Sequence, residues 1–230
     1  DYPNQRFTML DTEISGLDNV HSLAASHPEQ HFLSGMLAGL ATQDERFPLS
    51  NPENILCFTI AMDTPTSRAQ ASGFLAGAKY VNPDVEILTN FIGGYNDPVT
   101  AKELARVMYE RGADIVSANA GGSTQGVFAA ASEANRYVIG TSLSMADPKH
   151  SLSTSVKKVW LFVVQEIESL KNGTWKPGYT VKGIKDGVCD YDVEGLEVEI
   201  PDDIKQILDE TKKLIADGKL VLPTDLDQVD

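Results

Sequence analysis

A chain of 230 residues suits one large domain or two modest lobes, with ample capacity for a core. Its apolar fraction of 42% and charged fraction of 23% are ordinary for a globular protein. A net charge of −14 argues against a nucleic-acid partner, because phosphate binding needs a basic surface.

Residues 6–11 (RFTMLD) read as a short buried strand ending in an acid, and residues 19–25 (NVHSLAA) as a second. Ser26, His27, Pro28 and Glu29 then form a helix start of the capping-box kind, with proline in the first turn. Phe32, Leu33, Met36, Leu37 and Leu40 follow at helical spacing. Gly35 and Gly39 weaken that helix intrinsically, so they are expected to mark close packing against another element. Residues 42–53 read as a loop.

From residue 54 the pattern becomes regular. The run ILCFTI at 55–60 shows no alternation, as expected of a strand covered on both faces. A helix over about 64–80, a strand at 85–91, and a helix opened by Asp97 and Pro98 and closed by Gly112 come next. Strands at 114–118 and 137–141 flank a glycine-rich turn and a helix from Ser123, which makes one βαβ unit. Four strands alternating with three helices give the parallel, doubly wound α/β class. After Ser142 a polar loop leads to a helix near 155–171, with Val159, Trp160 and Val163 facing inward, stopped at Asn172 and Gly173. A strand at 180–184, a turn at 185–187 and a last amphipathic helix near 201–217 follow, with Ile207 and Leu208 inward; the acidic tail is expected to fray.

In open α/β sheets ligands bind beyond the carboxyl ends of the strands. Segments 61–65, 93–97, 119–124 and 141–147 qualify, and they offer Asp63, Thr64, Tyr95, Asn96, Asp97, Asn119, Ser123, Thr124, Ser142 and Ser144. That is a hydrogen-bonding set without a His, Cys or paired acid poised for proton transfer, so no catalytic residue is expected. Gly121 and Gly122 let the backbone turn tightly and approach a ligand. GGSTQG at 121–126 is neither the dinucleotide fingerprint nor a phosphate loop. Asp97 reads as a helix cap, Ser123 and Thr124 as cap or ligand contact alike. His21, His27 and His31 lack metal-ligand spacing, and Thr154 to Lys157 reads as a helix start with Lys157 outward; no metal or cofactor is expected. Cys57 reads as core.

The segments NVHSLAASHPEQHFLSGMLAGL, GFLAGAKYVNPDVEIL, FIGGYNDPVTAKELARVMYERGADIV, AGGSTQGVFAAASEA, YVIG, STSVKKV and GIKDGV together resemble the basic membrane protein family. These are substrate-binding lipoproteins of ABC transporters, purine nucleoside receptors among them, with the type I periplasmic-binding-protein fold. The resemblance runs from about residue 1 to 222 and implies a two-lobed α/β protein of parallel, doubly wound sheets. It implies that residues 1–25 are a remnant of lobe I, 26–145 form lobe II, 146–185 return to lobe I, and 186–230 form a C-terminal crossover and helix. One lobe is expected to be incomplete, since family members begin with further βα units. Either the chain is a fragment or those units reside on another chain.

The implied function is an extracytoplasmic receptor for an ABC importer, not an enzyme. It would bind a small polar ligand between the lobes and dock on the transporter permease, with a membrane tie only through a lipid anchor on a missing N-terminus. The alternative is a ligand-sensing regulatory domain of the same fold. The ligand contacts expected are Tyr95, Ser117, Asn119, Gly121, Gly122, Ser123, Ser142 and Lys185. Ser117 stands where nucleoside receptors of the family carry a stacking aromatic, and Ser142 where they carry the acid that takes the ribose hydroxyls. A ligand only loosely related to nucleosides, or another small polar metabolite, follows.

Overall fold

The computed structural model describes residues 2–229. Three short parallel strands, β1 (Phe7–Leu10), β2 (Val20–Ala25) and β8 (Gly178–Lys182), form a small sheet in the order β1-β2-β8. A larger sheet is built from β3 (Ile55–Ile60), β4 (Glu86–Phe91), β5 (Ala113–Asn119), β6 (Tyr137–Gly140), β7 (Ser151–Lys157) and β9 (Cys189–Asp192). Its order is β4-β3-β5-β6-β7-β9, parallel throughout except for β9 against β7. The four strands expected from their apolar runs are therefore present and mutually parallel.

Helices cover both faces of this sheet. On one side lie α1 (His27–Ala41), α2 (Pro65–Val81) and α6 (Asp202–Ala216), whose apolar residues join Leu56, Phe58, Ile115 and Ile139. On the other side α3 (Pro98–Glu110) and α4 (Thr124–Ala134) pack on Cys57, Val116, Ala118 and Val138. The alternation along β5 shows why: Ile115 and Ser117 face one way, Val116 and Ala118 the other. Asp97 caps α3, its carboxylate accepting from Thr100 N–H at 3.0 Å and from the Thr100 hydroxyl at 2.7 Å. Gly112 closes that helix region at φ +99°. Helix α5 (Val159–Lys171) lies over the small sheet. There the buried carboxylate of Glu166 accepts from Thr8 Oγ1 (3.0 Å) and Trp175 Nε1 (3.0 Å) and pairs with His21 Nδ1 (2.8 Å), tying α5 to β1 and β2.

Several expectations are corrected. Residues 151–157 form strand β7 rather than loop and helix start, and α5 begins only at Val159. The run SLSTSVK alternates, but its serines resemble loop residues; here Ser151, Ser153 and Ser155 are buried inside a sheet. With β7 and β9 in the large sheet, the return to the small one is confined to α5 and β8 rather than spanning 146–185. Trp160 is 62% exposed and Val163 50%, so the expected inward face of α5 is outward; Phe162 and Glu166 are buried instead. On α6 Leu208 is buried, whereas Ile207 is half-exposed. The tail does not fray within the described residues: Leu220, Leu222 and Leu226 pack on the core, and Arg68 pairs with Asp225 at 3.0 Å and Asp227 at 2.8 Å.

Candidate functional site

The carboxyl ends of the two sheets meet at a polar cavity of about 330 Å³ lined by Asp11, His27, Gln30, Thr66, Gln70, Asn119, Thr141 and Lys157. Asp11 follows β1 in the small sheet, while Asn119 ends β5, Thr141 follows β6 and Lys157 ends β7 in the large one. His27 and Gln30 come from the first turn of α1, and Thr66 and Gln70 from α2. Asp11 adopts φ +56°, a left-handed conformation that Asp tolerates better than most residues, and its N–H donates to Leu23 O at 2.8 Å. Its carboxylate accepts from Lys157 Nζ at 2.7 Å, across from one sheet to the other.

Beneath this pair the floor is polar and buried. His31 is wholly buried, one turn after His27, and meets Phe58 edge-on at 5.4 Å between ring centroids. Burial, with a smaller contribution from His27, pulls its pKa down to about 3, so the imidazole is neutral. Asn119 Nδ2 lies 3.4 Å from His31 Nε2; an amide N–H donating there puts the ring proton on Nδ1. His27 is also shifted downward, first by burial and then by Lys157, with Asp11 opposing. Several buried polar atoms here lack partners among the described residues: Gln30 Oε1, His27 Nδ1, His31 Nδ1 and the hydroxyls of Ser117, Ser153 and Ser155. Such groups ordinarily find a partner, and of these His27 and Gln30 belong to residues that line the cavity.

Of the contacts expected from the sequence, Asn119 alone lines this cavity. Ser117 is buried on the neighbouring stretch of β5. Gly121 and Gly122 are exposed, whereas Ser123 is buried against the loop after β4: its Oγ accepts from Asp97 N–H at 2.7 Å and donates to Gly94 O at 3.0 Å, and its N–H donates to Tyr95 O at 3.1 Å. A Cβ at Gly121, where φ is +55°, would lie 3.1 Å from Tyr95 O, so the glycine serves this loop contact. Tyr95 itself is 47% exposed. Ser142 pairs its hydroxyl with Ser144 at 2.8 Å in the loop after β6. Lys185 is exposed beside a separate cavity of about 480 Å³ with Ser26, Glu29 and Asp217. Sequence reasoning missed Asp11 and Lys157 as partners; the acid ending the first strand was the one available signal. Among the described residues no group of three or more His, Cys, Asp or Glu could hold a metal ion, and no helix is long and apolar enough to cross a membrane.

Comparison with known proteins agrees with this architecture. A family profile described as ABC transporter substrate-binding protein PnrA-like matches residues 1–221. The ABC transporter nucleoside-binding protein BmpA of Lactococcus lactis is 27% identical over 96% of this chain, which spans 65% of that protein's length. Basic membrane protein B of Borreliella afzelii is 36% identical over 50% of the chain and 36% of its own length. An ABC transporter solute-binding protein from Aeropyrum pernix superposes with a TM-score of 0.81 at 24% identity, covering 98% of this chain and 73% of that one. At that identity the likeness speaks to the fold, which is the type I periplasmic-binding arrangement.

Proposed function

Because the chain belongs to the family of PnrA-like ABC transporter substrate-binding proteins, we propose that it serves as the extracytoplasmic receptor of an ABC importer. It binds a small polar ligand, nucleoside-like or a related metabolite, between two lobes. The larger lobe is the six-stranded sheet with its helices; the smaller comprises β1, β2, α5 and β8. The observation that carries this reading is the cavity at the strand ends, walled by Asp11 from one sheet and by Asn119, Thr141 and Lys157 from the other. A ligand touching both sheets favours the closed arrangement, and a closed receptor is what a permease distinguishes from an empty one. The protein acts at the cell surface or in the periplasm, tethered to the membrane by a lipid anchor.

The neutral polar floor supplies orientation without chemistry. Asn119 holds His31 in one tautomer and presents its remaining amide atoms to the ligand. Neither Ser117 nor Ser142 can supply a stacking ring or a carboxylate, so base stacking and bidentate hydroxyl binding at those positions are weak. Deleting the gene should abolish high-affinity uptake of the ligand while leaving transcription unchanged. Loss of a transcriptional response with intact uptake would instead favour a sensing domain. The ligand itself is identified by mass spectrometry of small molecules that co-purify with the protein. Asn119→Ala is expected to weaken ligand affinity by tenfold or more, read by calorimetry, without lowering the melting temperature by more than a few degrees.

A further inference from the structure

We propose that the cavity takes an uncharged, polyhydroxylated ligand of about monosaccharide size, gripped by Asp11 and Lys157 from opposite sheets and by Gln30 from the floor. This rests on the receptor reading above and names the chemistry its site selects.

Four observations converge. A volume of about 330 Å³ lies at the small end of ligand pockets. Asp11 and Lys157 are the charged residues of the lining and already neutralise one another at 2.7 Å, so the site offers no net charge to an ion. The rest of the lining is carboxamide, hydroxyl and imidazole, with no Phe, Tyr or Trp for a flat base to stack upon. Gln30 is 4% exposed and lines the cavity, its Nε2 donates to Ser155 O at 3.4 Å, and its Oε1 is left without a partner.

Donor and acceptor chemistry then chooses among ligands. The Asp11 carboxylate and Gln30 Oε1 can only accept, and the Lys157 ammonium can only donate. A ligand carboxylate or phosphate also only accepts, so it satisfies Lys157 and leaves the buried Gln30 Oε1 and the part-exposed Asp11 carboxylate facing it without a donor. A ligand ammonium has the converse fault. A hydroxyl both donates and accepts, and adjacent hydroxyls can give one proton each to the two Asp11 oxygens while accepting from Lys157. Sites of this kind reject analogues that leave their polar groups unpaired. The left-handed backbone at Asp11 fits such a role, because a residue held at φ +56° turns its carboxylate off the end of β1 toward the other sheet.

Calorimetry of the full-length protein tests this with D-ribose, D-xylose, D-glucose and myo-inositol as neutral polyols. Ribose 5-phosphate and gluconate serve as charged counterparts, and adenosine and inosine as base-bearing ligands. Saturable binding of a neutral polyol is expected, at least tenfold tighter than its charged counterpart. Asp11→Asn and Gln30→Met should each weaken it tenfold or more, with thermal melts showing that both variants remain folded. Tighter binding of a nucleoside or a charged sugar overturns the ligand class while the receptor reading stands. Polyol binding indifferent to both substitutions overturns the proposed grip. Absence of binding by every compound, together with no co-purifying small molecule and no uptake defect on deletion, removes the receptor reading as well.

Discussion

Asp114 and His31 are buried ionisable side chains whose environments act in opposite directions. Burial pushes the Asp114 carboxyl up from 3.8 to about 6, against hydrogen bonds from the Thr42 hydroxyl (2.8 Å) and Asn51 N–H (3.2 Å). Between pH 3.8 and 6 the folded state therefore holds a proton there that the unfolded state has released, and stability falls as pH rises through that window. For His31, lowered from 6.5 to about 3, the unfolded state binds the extra proton, and stability rises with pH between those values. Near pH 5 the two slopes oppose one another at about 1.4 kcal/mol per pH unit each. Asp114→Asn removes one of them. Urea titrations at pH 4.5 and 5.5 should show the variant gaining stability with pH relative to the parent by about 1 kcal/mol. An unchanged difference would mean that Asp114 titrates normally in the folded protein.

At the scale of elements, α1 and α2 approach unusually closely because their contact is made of glycine. A Cβ built at Gly77 would lie 2.0 Å from Phe32 O, and one at Gly35 only 2.1 Å from Phe74 O. The obstacles are backbone atoms, which cannot swing aside, so Gly77→Ala must separate the helices. It is expected to destabilise by about 1–3 kcal/mol or more, measured as a fall in denaturant midpoint, despite the better helix propensity of alanine. A stabilised variant would refute the close packing. The same contact was legible in the sequence, since Gly35 and Gly39 interrupt an otherwise apolar helix without ending it. Strands β3, β5 and β6 were legible for a related reason: burial on both faces demands continuous apolar runs such as ILCFTI. Strand β7 was not, because four of its five buried residues are Ser151, Ser153, Thr154 and Ser155, whose chemistry belongs equally to loops. That omission hid much of the site. Lys157 is placed by the end of β7, and Asp11 by the end of β1, 146 residues away in the chain. Asn119 was legible because a strand and its own following turn define its position locally. Pairings set by topology alone leave no local signature.

For the whole molecule the decisive feature is the uncovered apolar surface of the small sheet. Strand β1 pairs only with β2 among the described residues, Phe7 and Met9 are 45% and 38% exposed, and Tyr179 and Val181 on β8 are 43% and 52% exposed. Helix α5 adds Trp160 at 62%, Val163 at 50%, Ile167 at 47% and Leu170 at 40%. Scattered apolar residues on a surface need no explanation, but a strand edge, one sheet face and one helix face together are what a lobe shows where further polypeptide would pack. Trp160 reports on that surface directly. In the 230-residue chain taken alone, Trp160→Ala should cost less than about 1 kcal/mol in a denaturant titration, because little apolar area leaves the core. A cost of 3–5 kcal/mol, the range for a truncated core aromatic, would show the ring to be buried in solution. Sedimentation of the same sample then separates the two ways this could happen: a monomer would place the ring inside this chain's own core and contradict its exposure, whereas a dimer would place a second copy over α5.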